Sequence, residues 1–127
     1  MANTAIVTGA GTGVGRSAAL ALLADGWNVA LAGRRADALQ ETADMANAGD
    51  RVLIVPSDIT SADQVDSLVD QTVAKFGRLD MLFNNAGGNV PGRTIDEIPV
   101  EDWQQIVDVN LTGSFLCARA AFRQMLA

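Results

Sequence analysis

Residues 4–15 read TAIVTGAGTGVG, a short apolar run followed by four glycines within seven positions. The run up to Val7 has the make-up of a buried strand, and the chain from about Val14 to Ala24 that of a helix. A strand that turns through glycine into a helix leaves free backbone N–H groups at the turn. The positive end of the helix dipole faces the same spot, where a dinucleotide pyrophosphate would sit. Gly9, Gly11, Gly13 and Gly15 do not fit G-x-G-x-x-G, because the third position falls on Val14 or Arg16. They do fit T-G-x-x-x-G-x-G, beginning at Thr8. Turn geometry alone would explain one or two glycines, and four at this place favour phosphate binding.

Outward from this stretch, short apolar runs alternate with amphipathic ones, as in βαβ units. Asp25-Gly26 closes the first helix with a left-handed cap. NVALA (28–32) is the second strand, and residues 36–48 form a small-residue helix ended by Gly49. RVLIV (51–55) is the third strand, stopped by Pro56. Ser61 and Gln64 form a capping box for the next helix, whose apolar face runs from Val65 to Phe76 before Gly77 ends it. MLF (81–83) is a fourth strand leading into NNAGG, residues 87–98 form a loop, and the remaining chain is helical from about Val100. Strict alternation predicts an α/β fold, a doubly wound parallel sheet of the Rossmann type. Residues 1–127 form one dinucleotide-binding domain without a linker.

Composition removes several classes of function. The chain is 49% hydrophobic and 19% charged, ordinary for a globular protein. Its formal charge of −6 argues against a nucleic-acid partner, which needs clustered Lys and Arg. No window approaches the roughly 18 apolar residues of a membrane span. The start has neither a basic leader nor a long apolar run, so a cytoplasmic protein is expected. With no His and a single cysteine, Cys117, imidazole triads and multi-cysteine metal sites drop out and no metal is expected. Cys117, inside an apolar stretch, is a core residue rather than a nucleophile.

The end of the second strand separates two cofactors. An NAD site places a carboxylate there for the ribose hydroxyls. This chain has Gly33-Arg34-Arg35, with no acid before Asp37. Two guanidiniums suit a 2′-phosphate, which favours NADP(H) over NAD(H). The alternative is a pair of solvated arginines at a helix start, where cations are unfavourable by about 0.3–1 kcal/mol.

Thr8–Gly15, Asp58-Ile59 after the third strand, NNAG at 84–87 and VNLTGSF around Asn110 together resemble the short-chain dehydrogenase/reductase family, in order and across the whole chain. Within it, the look is closest to bacterial 3-oxoacyl reductases and glucose dehydrogenases. The resemblance implies an oxidoreductase moving hydride between a nicotinamide and the carbonyl or alcohol of a small molecule. It implies that Gly9, Gly11, Thr12, Gly13 and Gly15 cradle the pyrophosphate, with Val14 near the nicotinamide. Arg34 would select the 2′-phosphate with help from Arg35. Asp58 would accept from the adenine amino group and Ile59 flank the base, while Asn85, Ala86 and Gly87 line the cofactor. Asn110 matches the catalytic asparagine, which holds a water of a proton relay from a kinked helix. Each has a plainer reading: Asp58 favouring a helix start, Asn84 and Asn85 satisfying a strand end, Asn110 kinking a helix. Trp103 is most simply core. Arg93 and Thr94 lie in a loop that would edge a substrate pocket.

The family's Tyr-x-x-x-Lys pair and serine are absent, and no Tyr occurs at all. Lys75, at a helix C-terminus, is an ordinary solvated cation. VNLTGSFLCARAAFRQMLA (109–127) carries a helical stripe of Leu111, Phe115, Ala118, Phe122 and Met125 and has no stop signal. The expectation is an incomplete family domain, truncated after the fourth strand and its following helix, inactive alone and able at best to bind NADPH. The fourth strand is then expected to be an apolar sheet edge. By resemblance, the last helix packs against its copy in another subunit, giving a homo-oligomer. The rival readings are a non-catalytic dinucleotide-binding or dimerising module and, less favoured by the glycine spacing and Asn110, a nucleotide-dependent transferase.

Overall fold

A computed structural model describes residues 1–88 and 92–127. Four parallel strands form one sheet in the order β3-β2-β1-β4: β1 Thr4–Thr8, β2 Asn28–Gly33, β3 Val52–Pro56 and β4 Met81–Phe83. The helices are α1 Gly13–Ala24, α2 Ala36–Ala46, α3 Ala62–Phe76, α4 Val100–Val107 and α5 Gly113–Leu126. The fold is the expected doubly wound one. Strand β1 is fully buried between its neighbours, with Ala5 opposite both Val29 and Met81.

Alternation along the strands sorts the core into two layers. Val7, Val29 and Leu31 face α1 and α2, meeting Ala19, Leu23 and Leu39. Ile6, Ala30 and Ala32 face the other way, toward Val65, Leu68 and Val69 of α3 and Cys117, Ala120 and Ala121 of α5. Strand order reverses at β1, since β2 and β3 lie on one side and β4 on the other. In such sheets ligands bind at that reversal, outside the carboxyl ends of the strands.

Several local expectations change. Helix α2 stops at Ala46 because Asn47 takes the left-handed conformation (φ 48°), and Gly49 instead opens a short 3₁₀ turn, Gly49–Arg51. Pro56 belongs to β3 rather than stopping it. The capping box is half formed. The Ser61 hydroxyl accepts from Gln64 N at 3.3 Å, but Gln64 Oε1 accepts from Asp58 N at 2.8 Å. Ser61 N is already committed to Asp58 O in the preceding turn. The loop before α4 contains a 3₁₀ turn, Ile95–Glu97, and its residues 89–91 lie outside the described ones. Trp103 is not core: it is 60% exposed on α4, which buries no residue fully.

The final helix is not continuous. Asp108–Thr112 make a π turn, in which Gly113 N donates to Asp108 O, five residues back. A widened turn of this kind is a common cause of a helix bend, the feature expected around Asn110. Beyond it, α5 buries Cys117, Ala120 and Ala121 and presents Phe115 (56% exposed) and Phe122 (62%) outward, as the π turn does Leu111. No helix among the described residues is long and apolar enough to cross a membrane.

Burial pushes the Cys117 thiol up to about 11. At about pH 8 it is therefore neutral and covered, and a thiol reagent should leave the native protein unmodified while labelling the urea-unfolded chain at once. Stoichiometric labelling without unfolding would contradict this packing.

Candidate functional site

The turn after β1 works because two glycines bring three segments together. Gly9 takes φ 64°, open to a residue without Cβ, and a Cβ there would lie 2.9 Å from Asn85 Nδ2. At Gly15, buried in the first turn of α1, a Cβ would strike the Gly9 carbonyl and stand 2.6 Å from Asn85 Nδ2. The N-terminus of α1 thus rests on the loop itself. Gly11 approaches α2, where a Cβ would meet that of Ala38 at 2.9 Å. Gly13 has open space but φ 56°.

Thr8 and Asn85 lock this turn to the end of β4. Thr8 Oγ1 accepts from Asn85 N (3.0 Å) and Ala86 N (2.9 Å). The Asn85 side chain donates back to Thr8 O (3.3 Å) and Gly9 O (3.4 Å), so it lies behind the glycine loop. Asn84 Nδ2 donates to Ser114 O at 2.7 Å and ties the same strand end to α5.

A cleft of about 360 Å³ opens in front of the loop. The glycine turn contributes Gly9, Gly11 and Thr12 to its lining, and the end of β2 contributes Arg34 and Arg35. Ile59, Ala86 and Gly87 complete the expected set found there. Gly13, Val14, Gly15, Asp58, Asn85 and Asn110 do not line it. Gly15 and Asn85 stand behind the loop, while Val14 is exposed beside it. Ser57, the α4 residues Gln105 and Ile106, and Val109 of the π turn also line the cleft. No motif marks them: Ser57 is there as the residue after β3, and the others through the packing of the last helical segment.

The two arginines differ. Arg35 pairs with Asp37 at 3.2 Å, both side chains exposed, and this bond holds the Asp37 carboxyl below its ordinary range. Arg34 makes no ion pair among the described residues. The Asp58 carboxylate accepts from Thr60 Oγ1 (2.7 Å) and Thr60 N (3.0 Å). The Thr60 hydroxyl bond is the main reason its carboxyl is lowered, with a smaller contribution from Arg34. Asp58 is therefore ionised and acceptor-only, and it shapes the entry to α3.

Asn110 sits in the middle of the π turn. Its Nδ2 donates to Gly88 O and Ile106 O, each at 3.0 Å, and its Oδ1 accepts from Gly88 N at 3.2 Å. The amide thus grips the loop after β4 from the helix, an arrangement an unbroken α-helix would aim elsewhere.

The family profile for short chain dehydrogenases matches residues 3–127. A 3-oxoacyl-[acyl-carrier-protein] reductase from Synechocystis is 40% identical over 98% of the chain and 51% of its own length. A short-chain type dehydrogenase/reductase from Mycobacterium marinum superposes with a TM-score of 0.92 at 42% identity, over 98% of this chain and 50% of that one. A 3-ketoacyl-(acyl-carrier-protein) reductase from Brucella melitensis, solved in complex with NADH, gives 0.91 at 31% identity over 96% and 50%. The chain belongs to the short-chain dehydrogenase/reductase family, with its NAD(P)-binding fold, and spans about half the length of the curated relatives it matches.

Thr8→Val should strand two part-buried N–H groups and cost about 2 kcal/mol, read as a lower urea midpoint. An unchanged midpoint would deny the lock between β1 and β4. Thr60→Val should raise the Asp58 titration in carboxyl-carbon NMR, because the hydroxyl donor stabilises the charged form. If the curve stays put, the Asp58–Thr60 bond is absent in solution.

Proposed function

We propose that this chain forms the cofactor-binding portion of an NADP-dependent oxidoreductase acting on the carbonyl or alcohol of a small molecule. The observation carrying this reading is Arg34, a guanidinium without an ion pair among the described residues, at the lip of a cleft floored by the glycine turn. The fit is good. Gly9 and Gly11 bring bare backbone to the cleft beside the N-terminus of α1, and the cations of Arg34 and Arg35 suit a 2′-phosphate.

In this reading Gly9, Gly11, Thr12, Gly13 and Gly15 hold the pyrophosphate and Arg34 binds the 2′-phosphate, assisted by Arg35 once Asp37 is displaced. Asp58 accepts from the adenine amino group, and Ile59 covers one face of the base. Ala86 and Gly87 let the backbone approach the ribose, with Asn85 bracing the loop from behind. Val14 offers an apolar neighbour to the nicotinamide. When bound, the dinucleotide supplies or accepts a hydride. Asn110 holds a water of the proton relay while its amide keeps Gly88 in place. These 127 residues contain no Tyr, and no proton donor is assigned among them.

The outward stripe of Leu111 in the π turn and Phe115, Phe122 and Met125 on α5 supports association with a second copy, which would remove its apolar area from water. The net charge of −6 and the absence of a spanning helix among the described residues support a cytoplasmic protein without nucleic-acid or membrane partners.

Calorimetric titration should give tighter binding of NADPH than of NADH, and Arg34→Ala should erase the difference at a cost of about 2 kcal/mol to NADPH alone. Preference for NADH would overturn the role of Arg34. Binding of neither would overturn the dinucleotide reading. Steady NADPH consumption by these 127 residues alone, across a panel of carbonyl compounds, would overturn the assignment of a binding portion only.

A further inference from the structure

We propose that Arg16 and Thr42 are positioning residues that set the distance between the glycine loop and the Arg34–Arg35 segment, and thereby the affinity for a dinucleotide that must touch both. The proposal rests on the cofactor reading above and assigns roles to two residues that do not line the cleft themselves.

Thr42 is fully buried in the middle of α2. A hydroxyl there is costly unless partnered, and this one has partners on three segments. It donates to Ala10 O at 2.8 Å, a carbonyl inside the glycine loop 32 residues away in sequence. It accepts from Arg16 Nε at 2.9 Å and lies 3.3 Å from Ala38 O on its own helix. The Arg16 guanidinium, about one quarter exposed, adds a bond from Nη2 to Ala38 O at 3.2 Å and an ion pair to Glu41 at 3.1 Å. Arg16 follows Gly15 directly, on the first turns of α1. The chain Arg16 N–H to Thr42 O–H to Ala10 C=O therefore ties α1, α2 and the loop at one point, and an ionised donor at its head strengthens the next bond along.

Two features show why the spacing matters. Gly11 comes so near α2 that even an added Cβ would meet that of Ala38 at 2.9 Å. Arg35 is the N-cap of α2, so Arg34 and Arg35 move with that helix. A ligand bound at both ends measures the gap that Thr42 spans, whereas a ligand bound at one end does not.

The test uses the protein at its natural length, with NADPH and adenosine 2′-monophosphate as probes. The second engages the arginine segment and the adenine contacts of Asp58 and Ile59 but does not reach the glycine loop. Thr42→Val should weaken NADPH about tenfold, the value of one lost hydrogen bond, and change the monophosphate less than about twofold. Thr42→Ser, which keeps the hydroxyl, should restore NADPH. Arg16→Lys, at a partly exposed position, serves if Thr42→Val does not fold: it removes the Nε donor and should show the same split. Glu41→Gln should leave both affinities unchanged, because the ion pair lies outside the relay. Equal losses for the two probes, or unchanged NADPH affinity in a folded variant, would overturn the clamp. A wild type that binds neither probe would instead overturn the cofactor reading and the clamp with it.

Discussion

The first turn of α1 touches the carbonyl of Gly9, and this contact tolerates no side chain on Gly15. Everything at the strand ends depends on it. Because the helix starts so close to β1, its free N–H groups face the carboxyl edge of the sheet rather than solvent. Because Gly9 is bare as well, Asn85 can slide beneath the loop and bond to Thr8 and Gly9, joining β1 to the end of β4 at the point where the strand order reverses. A larger residue at either glycine would push α1 outward, and with it Arg16 and the contact to α2.

What could be read from the sequence was whatever is encoded locally. The glycine spacing, the Arg34–Arg35 pair and the alternation of strand and helix are properties of short windows, and the structure keeps all three. Asn110 was legible as an amide in an apolar helix, and the π turn supplies the physical reason for its place. Other features depend on meetings across the fold. Thr42 looks like any small helical residue until Ala10 O is found beside it, and Gln105 and Ile106 carry no mark of the cleft they line. Trp103 was misjudged because aromatic bulk suggests burial, while α4 lies over the strand ends with no layer above it. The end of α2 was placed at a glycine when an asparagine had already taken the left-handed position.

The long C-terminal helical segment does two jobs with opposite sides, and the π turn separates them. Upstream, Gln105 and Ile106 line the cleft, while Val109, within the turn itself, meets both the cleft and the core. Downstream, Cys117, Ala120 and Ala121 fill the core against α3. An unbroken helix of this length would carry a single apolar stripe in steady rotation, so one face could not serve both the cleft and the core. The extra residue in the turn resets the phase between the two parts.

The two borders of the sheet are unlike each other. Ser57 N–H points inward to Gly33 O, so the nitrogen of Pro56, one residue earlier, faces away from the sheet, where its missing hydrogen costs the ladder nothing. An incoming strand on that side would find a gap in the row of donors. Strand β4 has no such guard: Met81, Leu82 and Phe83 are half-buried, with one side of their backbone paired to β1. The sheet therefore has unequal edges, interrupted by one missing donor at β3 and uninterrupted at β4.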